Sequence, residues 1–178
     1  MTGELRADVV NHDGMADSAD AFEDLVTLLD YPMYVVTAAS GDEVSGCLVG
    51  FASQTSIKPP RFLVGLSKNN RTFRVARHAT HLGVHLVASE HLALAELFGG
   101  RTGDDVDKFA QCDWFKGPYD VPILSDAAGW FVGSVCDRFV LGDHVGHLLE
   151  PVAGQPPGDL ERWVTFADVR DLEPGHKA

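Results

Sequence analysis

The chain has 178 residues, 45% of them apolar, which is enough for one sizeable hydrophobic core and predicts a single domain. A formal net charge of −12 argues against nonspecific binding to nucleic acid or to an anionic membrane. No stretch is apolar for long enough to cross a bilayer, and the acidic first residues do not resemble a signal peptide, so we expect a soluble, cytoplasmic protein.

The first half of the chain reads as a helix followed by strands. Residues 1–17 show no periodicity and predict a flexible arm, whereas SADAFEDLVTLLD at 18–30 has the spacing of an amphipathic helix. Two β-rich runs at 32–53 flank an SGDE turn and predict a hairpin. RFLVGLS at 61–67 predicts a strand, and NNRTFRVARHA at 69–79 a short helix.

The second half contains the strongest hairpin. HLGVHLVAS at 81–89 predicts a strand, and SEHLALAELFGG at 89–100 a helix capped by Ser89. Residues 101–128 are loop-like, as lids and binding loops often are. The runs at 129–141 and 144–152 form a hairpin because Gly142 and Asp143 suit a type II′ turn. The apolar patch at 163–169 is either a last strand or an arm.

These elements amount to six or seven strands and two or three short helices, without βαβ alternation. The pattern predicts an antiparallel barrel or sandwich with peripheral helices. No GxGxxG, Walker, GxSxG or zinc-finger motif is present. The three cysteines lack CxxC spacing and predict reduced thiols, which also favours the cytoplasm.

The charge is unevenly distributed. Between Glu43 and Glu90 there are six basic residues and no acidic one, so this window carries +6 and the remainder carries −18 of the net −12. The absence of acids is ordinary for buried strands, but four of the six basic residues fall between 68 and 77. Such asymmetry indicates an anion site.

The histidines do not predict a metal site. His144 and His147 are three residues apart in a strand, which places them on opposite faces, and only a helix would bring them together. The three histidines at 78, 81 and 85 span a helix end and a strand and make a poor ligand set. We therefore expect no bound metal.

Hydroxyl residues in the run 50–56 are followed by a Pro-Pro break, a strand and an Asn/Arg/Thr cluster that opens a helix. Hydroxyls, backbone amides, a helix start and arginines together suit a phosphate. A Ser/Thr-rich edge strand beside a solvated basic helix fits the same pattern equally well. The pattern alone leaves both interpretations open.

The stretch from about Tyr31 to Pro151 resembles the flavin reductase-like, FMN-binding split-barrel family. The resemblance rests on the order and spacing of YPMYVVTA, GCLVGFASQTSIKPPRFLVGLS, NNRTF, VDKFAQCDWFKGP with VPIL, GWFVGSV and the GDH at 142–144. It implies a mainly β fold, a six-stranded antiparallel Greek-key split barrel with peripheral short helices. The expected organisation is an arm at 1–17, the FMN-binding barrel at 18–152 and a C-terminal extension at 153–178.

The resemblance also implies the cofactor and its site. The cofactor is FMN or FAD, with NADH or NADPH as the co-substrate. The block at 48–56 is expected along the flavin ring and ribityl chain, and the segment at 67–72 at the phosphate. The implied cofactor-binding residues are Leu48, Val49, Gly50, Phe51, Ala52, Ser53, Ser56, Ser67, Asn69, Arg71 and Thr72. Many relatives carry two serines where this chain has Gly50 and Phe51.

His144 is implied as the residue that positions the nicotinamide, and Asp143 as the residue that holds the turn and orients the His144 ring. The implied activity is an NAD(P)H-dependent flavin reductase, as a homodimer that passes reduced flavin to a partner monooxygenase in two-component systems. Two alternatives stay open: a flavin carrier or sensor without turnover, and a deazaflavin-dependent oxidoreductase. The Gly50–Phe51 departure is what leaves them open.

Overall fold

The structure is a computed structural model that describes residues 18–175. Internal contacts divide the chain into two units, residues 1–30 and residues 31–178. The predicted first helix is confirmed in the first unit as α1, Ser18–Thr27, and the arm predicted at 1–17 lies outside the described residues. No helix among the described residues is long and apolar enough to span a membrane.

The second unit contains nine strands and three helices in its described part. The strands are β1 Tyr34–Ser40, β2 Glu43–Val49, β3 Ala52–Ser56, β4 Arg61–Ser67, β5 His81–Leu86, β6 Trp114–Lys116, β7 Pro122–Leu124, β8 Gly129–Leu141 and β9 His144–Gln155. The helices are α2 Arg71–Ala76, α3 Leu92–Gly100 and α4 Phe166–Val169.

Seven strands form one antiparallel sheet in the order β2-β1-β5-β8-β9-β4-β3, and β6 and β7 form a separate two-stranded ribbon. The mainly β, antiparallel split-barrel prediction is confirmed, with seven strands in the described sheet instead of six. The additional strand arises because the chain leaves the ladder at Gly50 and Phe51, so that β3 pairs with β4 and not with β1.

The long hairpin of β8 and β9 forms where it was predicted. Leu141 pairs with His144, and the two residues between them make the turn. Gly142 has a φ of +71°, a left-handed conformation that favours glycine. The φ of Asp143 does not lie in this left-handed region. A single positive φ at the first central position is typical of the predicted type II′ turn.

The predicted cap of the third helix is wrong. Residues Ser89–His91 form a 3₁₀ turn, and α3 begins only at Leu92. The Ser89 hydroxyl donates to the carbonyl oxygen of Arg162 at 3.2 Å and is therefore not a cap. A contact with the C-terminal segment thus replaces the local hydrogen bond that the sequence pattern suggested.

The apolar residues form two main clusters, one on each side of β1 and β2. The first packs the barrel interior against the buried face of α2, and the second packs the other side against α3. The second cluster includes Val164, which is fully buried, and Val169. The segment after residue 153, interpreted from sequence as a last strand or an arm, therefore contributes to the core.

Two histidines lie in the interior without exposure to solvent, His85 on β5 and His147 on β9. The Nδ1 atoms contact carbonyl oxygens, of Val35 at 2.9 Å and of Val145 at 3.1 Å. Neither Nε2 atom has a hydrogen-bond partner among the described residues. The pKa of both is lowered to about 4, by burial for His85 and by burial together with the charge of Arg138 for His147.

These histidines predict acid sensitivity of the fold. Their folded pKa lies below the unfolded value, so the unfolded chain takes up protons first as the pH falls from about 6.5 towards 4, and stability is lost in that window. At pH 5 the free energy of unfolding should be lower than at pH 7.5 by about 2 kcal/mol from each histidine. Urea titrations at both pH values measure the difference. His147→Gln should remove about half of it, and an unchanged difference would contradict the account.

Candidate functional site

A cavity of about 170 Å³ opens where β2 ends and β3 begins. Its walls come from the β2–β3 junction, the end of β4, the start of β9, the segment before β1 and the start of α4. The lining residues are those at 47–51 and 65–67 with Tyr31, Met33, Asn70, His144 and Phe166. We call this cavity the ring pocket.

The ring pocket brings distant parts of the sequence together. Ser67, the last residue of β4, pairs with His144, the first residue of β9. The Lys68 amide donates to the Asp143 carbonyl oxygen at 3.0 Å, and the Lys68 ammonium donates to the carbonyl oxygen of Gly142. These bonds tie the loop after β4 to the turn that carries His144.

The His144 ring is held from two sides. Its Nδ1 lies 2.8 Å from a carboxylate oxygen of Asp143, and its ring centre lies 5.0 Å from that of Phe51, edge to face. The hydrogen bond from His144 lowers the pKa of Asp143, so this carboxyl is ionised at neutral pH and can only accept. Nδ1 therefore carries the proton, and Nε2 is left for a second partner.

Most of the predicted residues lie at or beside the ring pocket. Leu48, Val49, Gly50, Phe51, Ser67 and His144 line it directly. An adjoining cavity of about 290 Å³ shares Phe51, Gly65 and His144 with it and is also lined by three further predicted residues, Ala52, Ser53 and Asp143. Asn69 is exposed and lies beside the ring pocket, and its backbone amide donates to the Ser67 hydroxyl at 3.4 Å.

Three predicted residues lie elsewhere. Ser56 ends β3, opposite Arg61. Thr72 is fully buried, with its amide bonded to the Asn70 side chain at 2.9 Å and its hydroxyl 3.0 Å from that of Ser45. Arg71 lines a third cavity, described next.

The third cavity, of about 410 Å³, lies at the start of β2, and we call it the tail cavity. It is lined by residues 42–46, Arg71 and residues 103–109. Gly46 lines the tail cavity and the next residue, Cys47, lines the ring pocket, so the two are adjacent along β2.

Lys108, on the wall of the tail cavity, did not emerge from the sequence. Only 5% of it is exposed, and its ammonium donates to the carbonyl oxygens of Phe98 at 3.0 Å and Gly46 at 3.2 Å. No carboxylate of a described residue lies within ion-pair distance of it. A buried ammonium without a counter-ion is costly, and burial lowers the pKa of Lys108. An anion in the tail cavity would supply the counter-ion that Lys108 lacks, within a lining that also carries five acidic residues, Asp42, Glu43, Asp104, Asp105 and Asp107.

The arginines of the basic window are partly neutralised by acids from outside it. Arg71 donates to the carbonyl oxygen of Gly103 at 2.8 Å and lies 3.9 Å from the Glu43 carboxylate. Arg74 forms an ion pair with Asp104. Any anion preference of the tail cavity therefore rests on Lys108 more than on the arginines of the charge window.

Together these cavities fit a molecule with a flat aromatic part and an anionic tail. Aromatic side chains border the ring pocket, and the unneutralised cation lies next to it along β2. A flavin mononucleotide has this shape and charge. Among the described residues, no group of three or more His, Cys, Asp or Glu side chains is placed to hold a metal ion.

Residues 26–170 match the family model for a flavin reductase like domain. The chain is 28% identical over 156 residues to the FMN reductase (NADH) RutF of Ancylobacter novellus, covering 85% of this chain and 83% of that protein. It is 28% identical over 145 residues to the stachydrine N-demethylase reductase subunit Stc3 of Rhizobium meliloti, covering 79% of this chain.

A crystal structure of a flavin reductase domain protein from Arthrobacter sp. FB24 superposes with a TM-score of 0.74 at 26% identity, over 83% of this chain and 89% of that one. Some curated relatives are considerably longer than this chain, which spans 57% of the Rhizobium meliloti reductase subunit.

Proposed function

Because this chain belongs to the flavin reductase-like family, we propose that it binds FMN, or alternatively FAD, and transfers hydride from NADH or NADPH to the bound flavin. The observation that carries this proposal is the buried, unneutralised Lys108 beside a pocket bordered by aromatic rings and His144. The similar FMN reductase (NADH) of Ancylobacter novellus supports the same activity.

The two cavities divide the binding of the cofactor. The backbone of 48–51 and the aromatic side chains around it hold the ring, with Ser67 and Asn69 at its edge. Lys108 and Arg71 attract the phosphate. Thr72 lines neither cavity and contributes by holding Ser45 and the Asn70 side chain in place. Ser56 pairs with Arg61 beyond the register shift in β3 and has no direct role in binding.

The bound flavin supplies the hydride acceptor, and the contribution of the protein is orientation and electrostatics. His144 offers Nε2 towards the ring pocket while Asp143 fixes the opposite nitrogen. A nicotinamide carboxamide can donate to that nitrogen, which would hold the ring of the hydride donor in place. Phe51 and His144 stand between the ring pocket and the adjoining cavity, where the donor would enter.

We further propose that the protein works as a homodimer and delivers reduced flavin to a partner monooxygenase. The similar protein of Rhizobium meliloti is named as the reductase subunit of a demethylase, which supports a reductase that serves a separate catalytic protein. Analytical ultracentrifugation tests the dimer, and release of reduced flavin under anaerobic conditions tests the delivery.

An anaerobic experiment tests the reductase activity. The protein is loaded with FMN, NADH is added without oxygen, and absorbance in the visible flavin band is followed. Rapid bleaching, faster than for free FMN with NADH, is the expected result. Stable colour would instead identify a flavin carrier or sensor. Protein that refuses FMN would contradict the proposal and favour the deazaflavin alternative.

A further inference from the structure

Gly50 is a position where a side chain cannot be added without moving an aromatic ring. A Cβ atom there would lie 2.5 Å from Cε2 of Tyr31 and 3.0 Å from the sulfur of Met33. Cβ atoms do not approach other atoms so closely in folded proteins, so the Tyr31 ring occupies the space that a serine would need. The absence of a side chain at position 50 is therefore coupled to the position of the Tyr31 ring.

Tyr31 is fixed by the C-terminal segment. Its ring stacks on that of Phe166, with centres 5.0 Å apart and planes 14° from parallel. The Phe166 amide donates to the Tyr31 carbonyl oxygen at 2.9 Å, and the Met33 amide donates to the carbonyl oxygen of Val164 at 3.0 Å. Both rings line the ring pocket. The segments at 31–33 and 164–166 thus meet at the pocket and form one wall of it.

Several contacts hold the segment around Phe166 in place. Val164 and Val169 on either side of Phe166 are buried. Thr165 and Asp168 form a reciprocal capping box that starts α4 at Phe166. The Arg170 guanidinium lies 5.7 Å from the Phe166 ring, on the outside of the segment. An exposed arm would have none of these restraints.

We propose that Tyr31 and Phe166 are flavin-binding residues of this chain and contact the ring of the cofactor from the wall that they form. The inference rests on the proposed function and extends its site to the C-terminal segment. A stacked aromatic pair beside a flat ring adds apolar area and a favourable ring–ring geometry. The pair has no contact with the tail cavity, so its effect should not depend on the phosphate.

Titrations of FMN and of riboflavin, followed by flavin fluorescence, test the inference without any turnover. Phe166→Ala should weaken the binding of FMN and of riboflavin by the same factor, about tenfold. Phe166→Leu keeps the apolar contact and should lose only part of that, which guards against an unfolded alanine variant. Trp163→Ala is the matched control, because Trp163 is an exposed aromatic residue of the same segment outside the ring pocket; its affinities should equal those of the wild type.

A second set of variants tests the coupling between Gly50 and Tyr31. Gly50→Ser should also weaken both flavins, because the serine displaces the Tyr31 ring. In a Tyr31→Ala background the same serine should have little further effect, since the ring it displaces is gone. Additive effects of the two substitutions would overturn the coupling.

The outcomes separate the inference from the proposed function. If the wild type, Phe166→Ala and Phe166→Leu all bind FMN with the same affinity, the role of Phe166 in flavin binding is wrong, while the proposed flavin site is unaffected. Loss of FMN affinity with riboflavin unaffected would also overturn that role, since that pattern assigns Phe166 to the phosphate. Wild-type protein that binds neither flavin overturns both proposals.

Discussion

Lys108→Met should weaken FMN binding by about 10- to 100-fold and leave riboflavin binding unchanged. Riboflavin lacks the phosphate, so the comparison isolates the contact between the Lys108 ammonium and the anionic tail. Methionine has nearly the same length and apolar volume as the lysine stem and so preserves its packing. The two dissociation constants, measured by fluorescence quenching at low salt, give the result directly.

The alternative role for Lys108 is structural, because its ammonium bridges the carbonyl oxygens of Gly46 and Phe98. In that case the substitution would lower the melting temperature and weaken FMN and riboflavin by similar factors. Lys116→Met is the matched control: Lys116 is an exposed lysine that pairs with Asp120, and its loss should change neither affinity. Equal losses for both flavins would refute the phosphate contact.

His144→Ala should lower kcat/KM for NADH by about 100-fold, because misplacing a hydride donor by an ångström has an effect of this size. FMN affinity should stay within about threefold of the wild type, since the ring and the phosphate keep their own contacts. Asp143→Asn should give a smaller loss, as the imidazole keeps a neighbour but loses the charge that fixes its proton on Nδ1.

Steady-state kinetics with NADH varied at saturating FMN, together with an FMN titration, distinguish these effects. The exposed His78 serves as the control, because its side chain accepts a hydrogen bond from Arg77 at 2.7 Å and lies outside the two cavities that His144 lines. His144→Ala protein that fails to bind FMN would show that His144 holds the flavin and not the hydride donor.

The barrel could be predicted from sequence because its signals are local. The alternation of β8 and β9 and the Gly142–Asp143 turn determine a hairpin without information from elsewhere. Strand β3 was harder to predict. Only two residues, Gly50 and Phe51, separate it from β2, and it is a distinct strand because it pairs with β4. Local patterns do not reveal which neighbour a strand selects.

The candidate site could be predicted only where its residues are contiguous. The charge window predicted an anion site from the four basic residues between 68 and 77, but folding brings Glu43 to Arg71 and Asp104 to Arg74. Lys108 lies in a segment with the composition of a loop, and only its burial distinguishes it from a surface lysine. For such residues the tertiary contacts carry the information.

The aromatic wall illustrates the same limit. Tyr31 and Phe166 are separated by most of the second unit, and the stacking of their rings follows from the pairing of the C-terminal segment with 31–33. The glycine at 50 was visible in the sequence as a departure from related proteins. Its physical reason, the ring that fills the space of a side chain, was not.

A crystal structure of the protein with FMN tests the central claim most directly. The account predicts the flavin ring in the ring pocket between residues 48–51, His144 and the Tyr31–Phe166 pair, with the phosphate in the tail cavity within hydrogen-bond distance of the Lys108 ammonium. A flavin ring bound outside the ring pocket would contradict the account. A phosphate that points into solvent, while the Lys108 ammonium contacts only the carbonyl oxygens of Gly46 and Phe98, would also contradict it.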